Sequence, residues 1–176
     1  MTCKFVLSDV SEKQISSGEG YNIFEPTVAL EIDGRNVFET LGIDGAKSVV
    51  VMASRERFIE TTVKLIEELS EKDDGFCEYW LLGTGLGFRL ERKGRILEVF
   101  LRVDNWGPTQ GVSSPQTVRI GTVPISEWVE SIASLSRTLS NMVRRLNPEL
   151  YHDPLFQKEE ANLSLIERWL RTGRNA

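Results

Sequence analysis

The chain is poor in residues that bind transition metals: it has one histidine, His152, and two cysteines, Cys3 and Cys77. A four-ligand zinc site would need an added carboxylate, and no ligand-like spacing is present, which argues against a structural metal. Two thiols in a chain of this length fit free cysteines in a reducing compartment better than a disulfide framework. No apolar run approaches the roughly 20 residues needed to span a bilayer, so no membrane span is expected. The start, Met1-Thr2-Cys3-Lys4-Phe5, has no apolar stretch of signal-peptide length, and a cytoplasmic location is the expectation. Internal repeats, low-complexity segments and cofactor motifs are missing as well.

What remains is ordinary globular composition, 40% hydrophobic and 27% charged over 176 residues. A chain of this size buries roughly two-thirds of its unfolded surface without a metal or a disulfide. One α+β domain over residues 1–150 is expected, with residues 151–176 as a C-terminal helix docked on it or extending from it. The net charge of -5 hides an asymmetry. Residues 1–88 carry 8 Lys+Arg against 16 Asp+Glu, whereas residues 89–176 carry 13 against 10. The densest acidic run is Glu67-Glu68 with Glu71-Lys72-Asp73-Asp74. Such a surface repels phosphate backbones and attracts basic proteins, which disfavours nucleic acid as a partner. A solvated helix end is the plainer reading of the same run.

Short β-prone runs, Lys4 to Leu7 and Val28 to Ile32, open the chain. Asp33-Gly34 then makes a tight turn into Arg35 to Thr40, and a two-residue loop there places Ile32 opposite Arg35. Ser48 to Met52 suits a buried strand or the start of a helix. From Arg55 to Lys72, Phe58, Ile59, Thr62, Val63, Leu65, Ile66 and Leu69 recur at helical spacing. Ser54 is the candidate N-cap, Glu56 suits the positive end of the dipole, and Asp73-Asp74-Gly75 is the stop. Ser11 to Gly20 and Trp106 to Gln116 read as loops.

Leu86 to Val103 is the clearest element, a hairpin. With Lys93-Gly94 as its turn, Leu90 pairs with Leu97, Phe88 with Val99, and Arg89 faces Glu98. Leu86, Phe88, Leu90, Leu97, Val99, Leu101 and Val103 then share one face, as in an antiparallel sheet with one side on the core. The other face carries Arg89, Glu91, Glu98 and Arg102, with Ile96 and Phe100 as apolar exceptions. Val118 to Val123 is a further strand.

A long helix follows, with Ser126 as candidate cap, Glu127 and Glu130 near its start and Arg144-Arg145 near its end. Its apolar positions Ile125, Trp128, Ile132, Leu135, Leu139, Met142 and Leu146 step by three and four, which suits a dimerising coiled coil. Val129, Ala133 and Val143 widen the stripe and favour a helix lying across a sheet. Asp153-Pro154 opens a last helix with Leu155, Phe156, Leu163, Ile166, Trp169 and Leu170 as apolar positions. The fold class expected is therefore α+β, an antiparallel sheet with amphipathic helices packed on one face.

Few motifs carry chemistry. Gly83-Thr84-Gly85-Leu86-Gly87 lacks the helix and the Lys-Ser/Thr of a phosphate loop, and a strand follows it. His152-Asp153 offers a general base, yet no G-x-S-x-G elbow supplies a nucleophile beside it. Glu91 and Glu98 resemble an acid–base pair, but Arg89 and Arg102 among them favour a ladder of ion pairs. Trp128 and Trp169 lie on helical stripes. Trp106, in a Gly-Pro loop, is the tryptophan placed to face a ligand or partner.

The order of elements resembles the WapI-like immunity proteins of bacterial polymorphic toxin systems and related uncharacterised domains. It runs from a strand-rich start through a helix, a strand at Glu78-Tyr79-Trp80-Leu81, the FRLERKGRILEVFLRV hairpin, and the strand and helix of VRIGTVPISEWVESIASLSRTL. The resemblance covers about residues 20–146 and rests on element order and hydrophobic pattern, with no diagnostic motif. It implies a non-enzymatic protein that neutralises a toxin by binding it. An acidic first half suits a basic toxin, since complementary charge speeds capture. Glu67, Glu68, Glu71, Asp73, Asp74 and Trp106 are the partner-binding candidates on this reading. A small-ligand-binding protein or an enzyme with a site between sheet and helix is the alternative. A homodimer through the Ile125–Leu146 helix is a further one.

Overall fold

The computed structural model describes residues 2–17, 27–38, 49–50, 52–69, 74–81, 86–103 and 116–172. The fold is α+β, with two antiparallel sheets where the sequence suggests one. In the first, β1 (Cys3–Asp9) pairs with β2 (Thr27–Ile32), whose other edge carries both β3 (Arg35–Asn36) and β4 (Val49–Val50). The second is a meander of β5 (Asp74–Leu81), β6 (Leu86–Lys93), β7 (Ile96–Val103) and β8 (Gln116–Pro124). Among the described residues four α-helices accompany them: α1 (Glu12–Ser16), α2 (Met52–Leu69), α3 (Ile125–Leu146) and α4 (Pro154–Thr172).

Local chemistry explains the first sheet. Asp33 (φ 50°) and Gly34 (φ 75°) both adopt left-handed backbone, the pattern of a type I′ hairpin turn, and Ile32 does lie opposite Arg35. Asp33 Oδ1 also accepts a 2.8 Å hydrogen bond from the Thr2 amide. Of the expected strand Arg35 to Thr40, Arg35–Asn36 is strand, Val37 and Phe38 turn into the core, and residues 39–40 lie outside the described residues. Within Ser11 to Gly20, read as a loop, residues 12–16 form the short helix α1. Glu12 pairs with Arg145 at 2.6 Å and the Ile15 carbonyl accepts from Asn147 Nδ2 at 3.1 Å, which ties α1 to the end of α3.

All seven apolar residues assigned to the inner face of the β6–β7 hairpin are buried, Leu90 and Leu97 completely. The register differs from the expected one by two residues. Gly94-Arg95 is the turn, so Lys93 pairs with Ile96, Leu90 with Val99, Phe88 with Leu101 and Arg89 with Phe100, while Glu91 faces Glu98. A two-residue slip leaves every side chain on its face, so alternation alone cannot detect it. The turn decides: Gly94 takes φ 62° at the first central position, as a type II′ turn requires.

Helix boundaries shift where caps were inferred. α2 starts at Met52, so Ser54 lies inside it, and no acidic residue occupies its first turn. It ends at Leu69, and Asp74 and Gly75, read as its stop, begin β5. α3 starts at Ile125 with Pro124 at the N-cap position and no capping side chain, so Ser126 does not cap. The Asp153-Pro154 start of α4 is as expected: Asp153 Oδ1 accepts from the Leu155 and Phe156 amides at 2.8 and 3.3 Å.

Aromatic rings join the layers. Phe5 of β1 lies 5.1 Å from Phe58 of α2, 5.3 Å from Trp128 of α3 and 6.3 Å from Phe88 of β6 between ring centroids, all edge-to-face. Trp128 reaches Phe88 at 5.8 Å, so the long helix touches both sheets, and the strand it packs on most extensively is β1. The Phe5 amide donates to the buried Ser131 Oγ at 2.6 Å. Of the α3 stripe, Ile125, Trp128, Ile132, Leu135 and Leu139 are buried, and Met142 and Leu146 are half-buried. α4 packs on α2 and α3 through Phe156, Leu163, Ile166 and Leu170.

Candidate functional site

The outer face of the second sheet follows from strand alternation. Asp74, Phe76 and Glu78 of β5 lie on it with Arg89, Glu91 and Lys93 of β6, Ile96, Glu98, Phe100 and Arg102 of β7, and Arg119 of β8. Most of its charges answer one another. Arg102 reaches Glu78 at 2.7 Å across β6, where its register partner Gly87 presents no side chain. Arg89 pairs with Glu91 at 2.9 Å, and Glu98 takes both Lys93 at 2.9 Å and Arg119. The hydrogen bonds from Lys93 and Arg119 hold the Glu98 carboxyl below the usual range. Glu91 and Glu98 are each engaged by cations, the arrangement of a cross-strand ladder of ion pairs.

At one end of this face the compensation stops. Asp74 begins β5, and the last turn of α2, which packs on β5, carries Glu67 and Glu68. All three are exposed, and among the described residues none has an ion pair. Phe76, two residues past Asp74 on the same face, is 59% exposed, and Ile96, in the register row of Asp74 and Lys93, is 49% exposed. Asp74 therefore shares the outer face with two apolar side chains, Phe76 and Ile96, while Glu67 and Glu68 end the helix that packs on β5. Glu71, Asp73 and Trp106 lie outside the described residues, as do residues 83–85 of the glycine-rich segment.

Ile96 stands out in the sequence as an exception on the polar face, whereas Phe76 does not. Its signal lay in the alternation Asp74, Phe76, Glu78, visible only if the strand begins at Asp74 and not at Glu78. α2 adds an electrostatic feature. Its first turn has no acidic residue and its last turn no basic one, so Glu67 and Glu68 stand at the negative end of the helix dipole.

Other candidates resolve into structural roles. The Asp153 carboxylate caps α4, and the exposed His152 ring meets Tyr151 edge-on at 6.2 Å. Burial pushes the Cys77 thiol up to about 12, with Glu68 and Glu78 adding to it. Burial likewise pushes Cys3 up to about 12, Glu127 adding and the Ser131 hydrogen bond opposing. Both are thiols, not nucleophilic thiolates, near neutral pH. Two open clefts of about 460 and 250 Å³ lie between α3 and α4 and share Arg137 and Glu167. Arg137 is already held by Glu167 at 2.7 Å and Glu130 at 3.4 Å, so an anionic ligand would have to displace a carboxylate. Among the described residues no group of three or more His, Cys, Asp and Glu could hold a metal. No protein-family model matches the chain, and neither a curated protein nor a solved structure matches it.

Proposed function

We propose that the chain is a non-enzymatic binding protein that captures a basic protein through the rim of Glu67, Glu68 and Asp74, with Phe76 and Ile96 as apolar contacts. An immunity-type protein that neutralises a toxin is the specific form of this reading. The observation that carries it is the placement of Glu67 and Glu68 at the negative end of α2. Carboxylates there destabilise a helix by about 0.3–1 kcal/mol each, and residues set against local preference mark functional surfaces. An exposed phenylalanine beside uncompensated carboxylates is the composition of a surface that meets an apolar, basic counterpart.

The test is co-purification of a stoichiometric basic partner, followed by affinity measurement at about 0.05 M and about 0.5 M salt. Affinity should fall with salt, and the Glu67→Gln/Glu68→Gln/Asp74→Asn variant should lose most of that dependence. Salt-independent association with the parent chain would refute the acidic rim as the recognition surface.

A further inference from the structure

We infer that the open face of the Phe76 ring receives an arginine side chain of the basic partner. The inference rests on the binding reading above and specifies what the rim recognises. The chain already displays the interaction once: the Arg89 guanidinium sits 4.6 Å from the Phe76 ring centroid, and Glu91, opposite Phe76 across the β5–β6 pair, holds Arg89 Nε at 2.9 Å. Ring, cation and carboxylate thus form one internal set. Phe76 is still 59% exposed, so Arg89 covers only part of it. A second carboxylate, Asp74, shares that face of β5, is exposed, and has no ion pair among the described residues. Phe76 and Asp74 offer an incoming cation what Phe76 and Glu91 already offer Arg89.

The chemistry favours arginine over lysine. A guanidinium is planar and weakly hydrated, so it stacks on a ring while its edge donates to a carboxylate, whereas an ammonium gives up more hydration to do the same. The chain's own use of Arg89 follows this preference. The occupant is therefore an arginine presented by a protein, with Glu67 and Glu68 supplying longer-range attraction around it.

Hexa-arginine is a suitable probe, titrated into the full chain while Phe76 ring resonances and affinity are followed. Phe76 is a surface residue, so Phe76→Leu should keep the fold, which circular dichroism verifies. The ring resonances should shift saturably, Phe76→Leu should weaken binding about two- to fivefold, and Phe76→Trp should retain or strengthen it. Hexa-lysine should bind more weakly than hexa-arginine. Equal affinity of Phe76→Leu and the parent would overturn the ring proposal while leaving the acidic rim intact. Loss in Phe76→Leu with none in Glu67→Gln/Glu68→Gln would support the ring site and reject those two carboxylates as part of the recognition surface, whereas no loss in Asp74→Asn would overturn the pairing of ring and carboxylate.

Discussion

Cys3 and Cys77 show what burial does to a single group. Each thiol is raised to about 12 in the folded chain, against about 8.5 when unfolded. Between those values the unfolded state gives up a proton that the folded state keeps, so each cysteine's contribution is full below about pH 8.5 and is lost as pH rises toward 12. The stability of the parent chain should therefore fall relative to Cys3→Ala and Cys77→Ala between pH 8 and 10.5, as read from thermal midpoints. A constant gap between parent and variants across that window would show that the thiols ionise equally in both states. The same burial should make both side chains slow to alkylate at pH 8.

At the scale of elements, the β6–β7 hairpin separates what a residue pattern specifies from what a turn specifies. Seven alternating apolar residues say which face is buried, because exposing them all is too costly for a one-residue slip to compete. They do not say whether Leu90 faces Leu97 or Val99, since both pairings keep the faces. That choice falls to Gly94, whose φ of 62° a residue with a Cβ adopts only at a cost. Gly94→Ala should lower stability by roughly 1–2 kcal/mol. Arg95→Ala, at the second turn position, should stay within about 0.5 kcal/mol. Equal effects in a denaturant titration would contradict the Gly94-first turn. Other gaps in the sequence reading have similar causes. Ser54 and Ser126 are good capping residues, but α2 and α3 start before them, at Met52 and Ile125. Whether β1 and β2 join the hairpin in one sheet depends on contacts between distant residues, which local periodicity does not encode. The acidic half of the candidate site was legible as a run of charge. Its aromatic half was not, because Phe76 turns outward only in a β5 that begins at Asp74.

For the whole molecule, two sheets and the helices close around one aromatic cluster, and the proposed binding surface lies at the β5 edge of the second sheet. The division is physical: Phe5, Phe58, Phe88 and Trp128 secure the core, which leaves the end of α2 and the start of β5 free to carry charges that do nothing for stability. A surface shaped by binding should therefore show opposite responses in its two readouts. The most direct measurement is the Glu67→Gln/Glu68→Gln variant, followed both for unfolding free energy and for affinity to the basic partner. Stability should rise by about 0.3–1 kcal/mol per residue while affinity falls. A variant that gains stability and binds the partner as tightly as the parent would contradict the assignment of this rim as the binding surface.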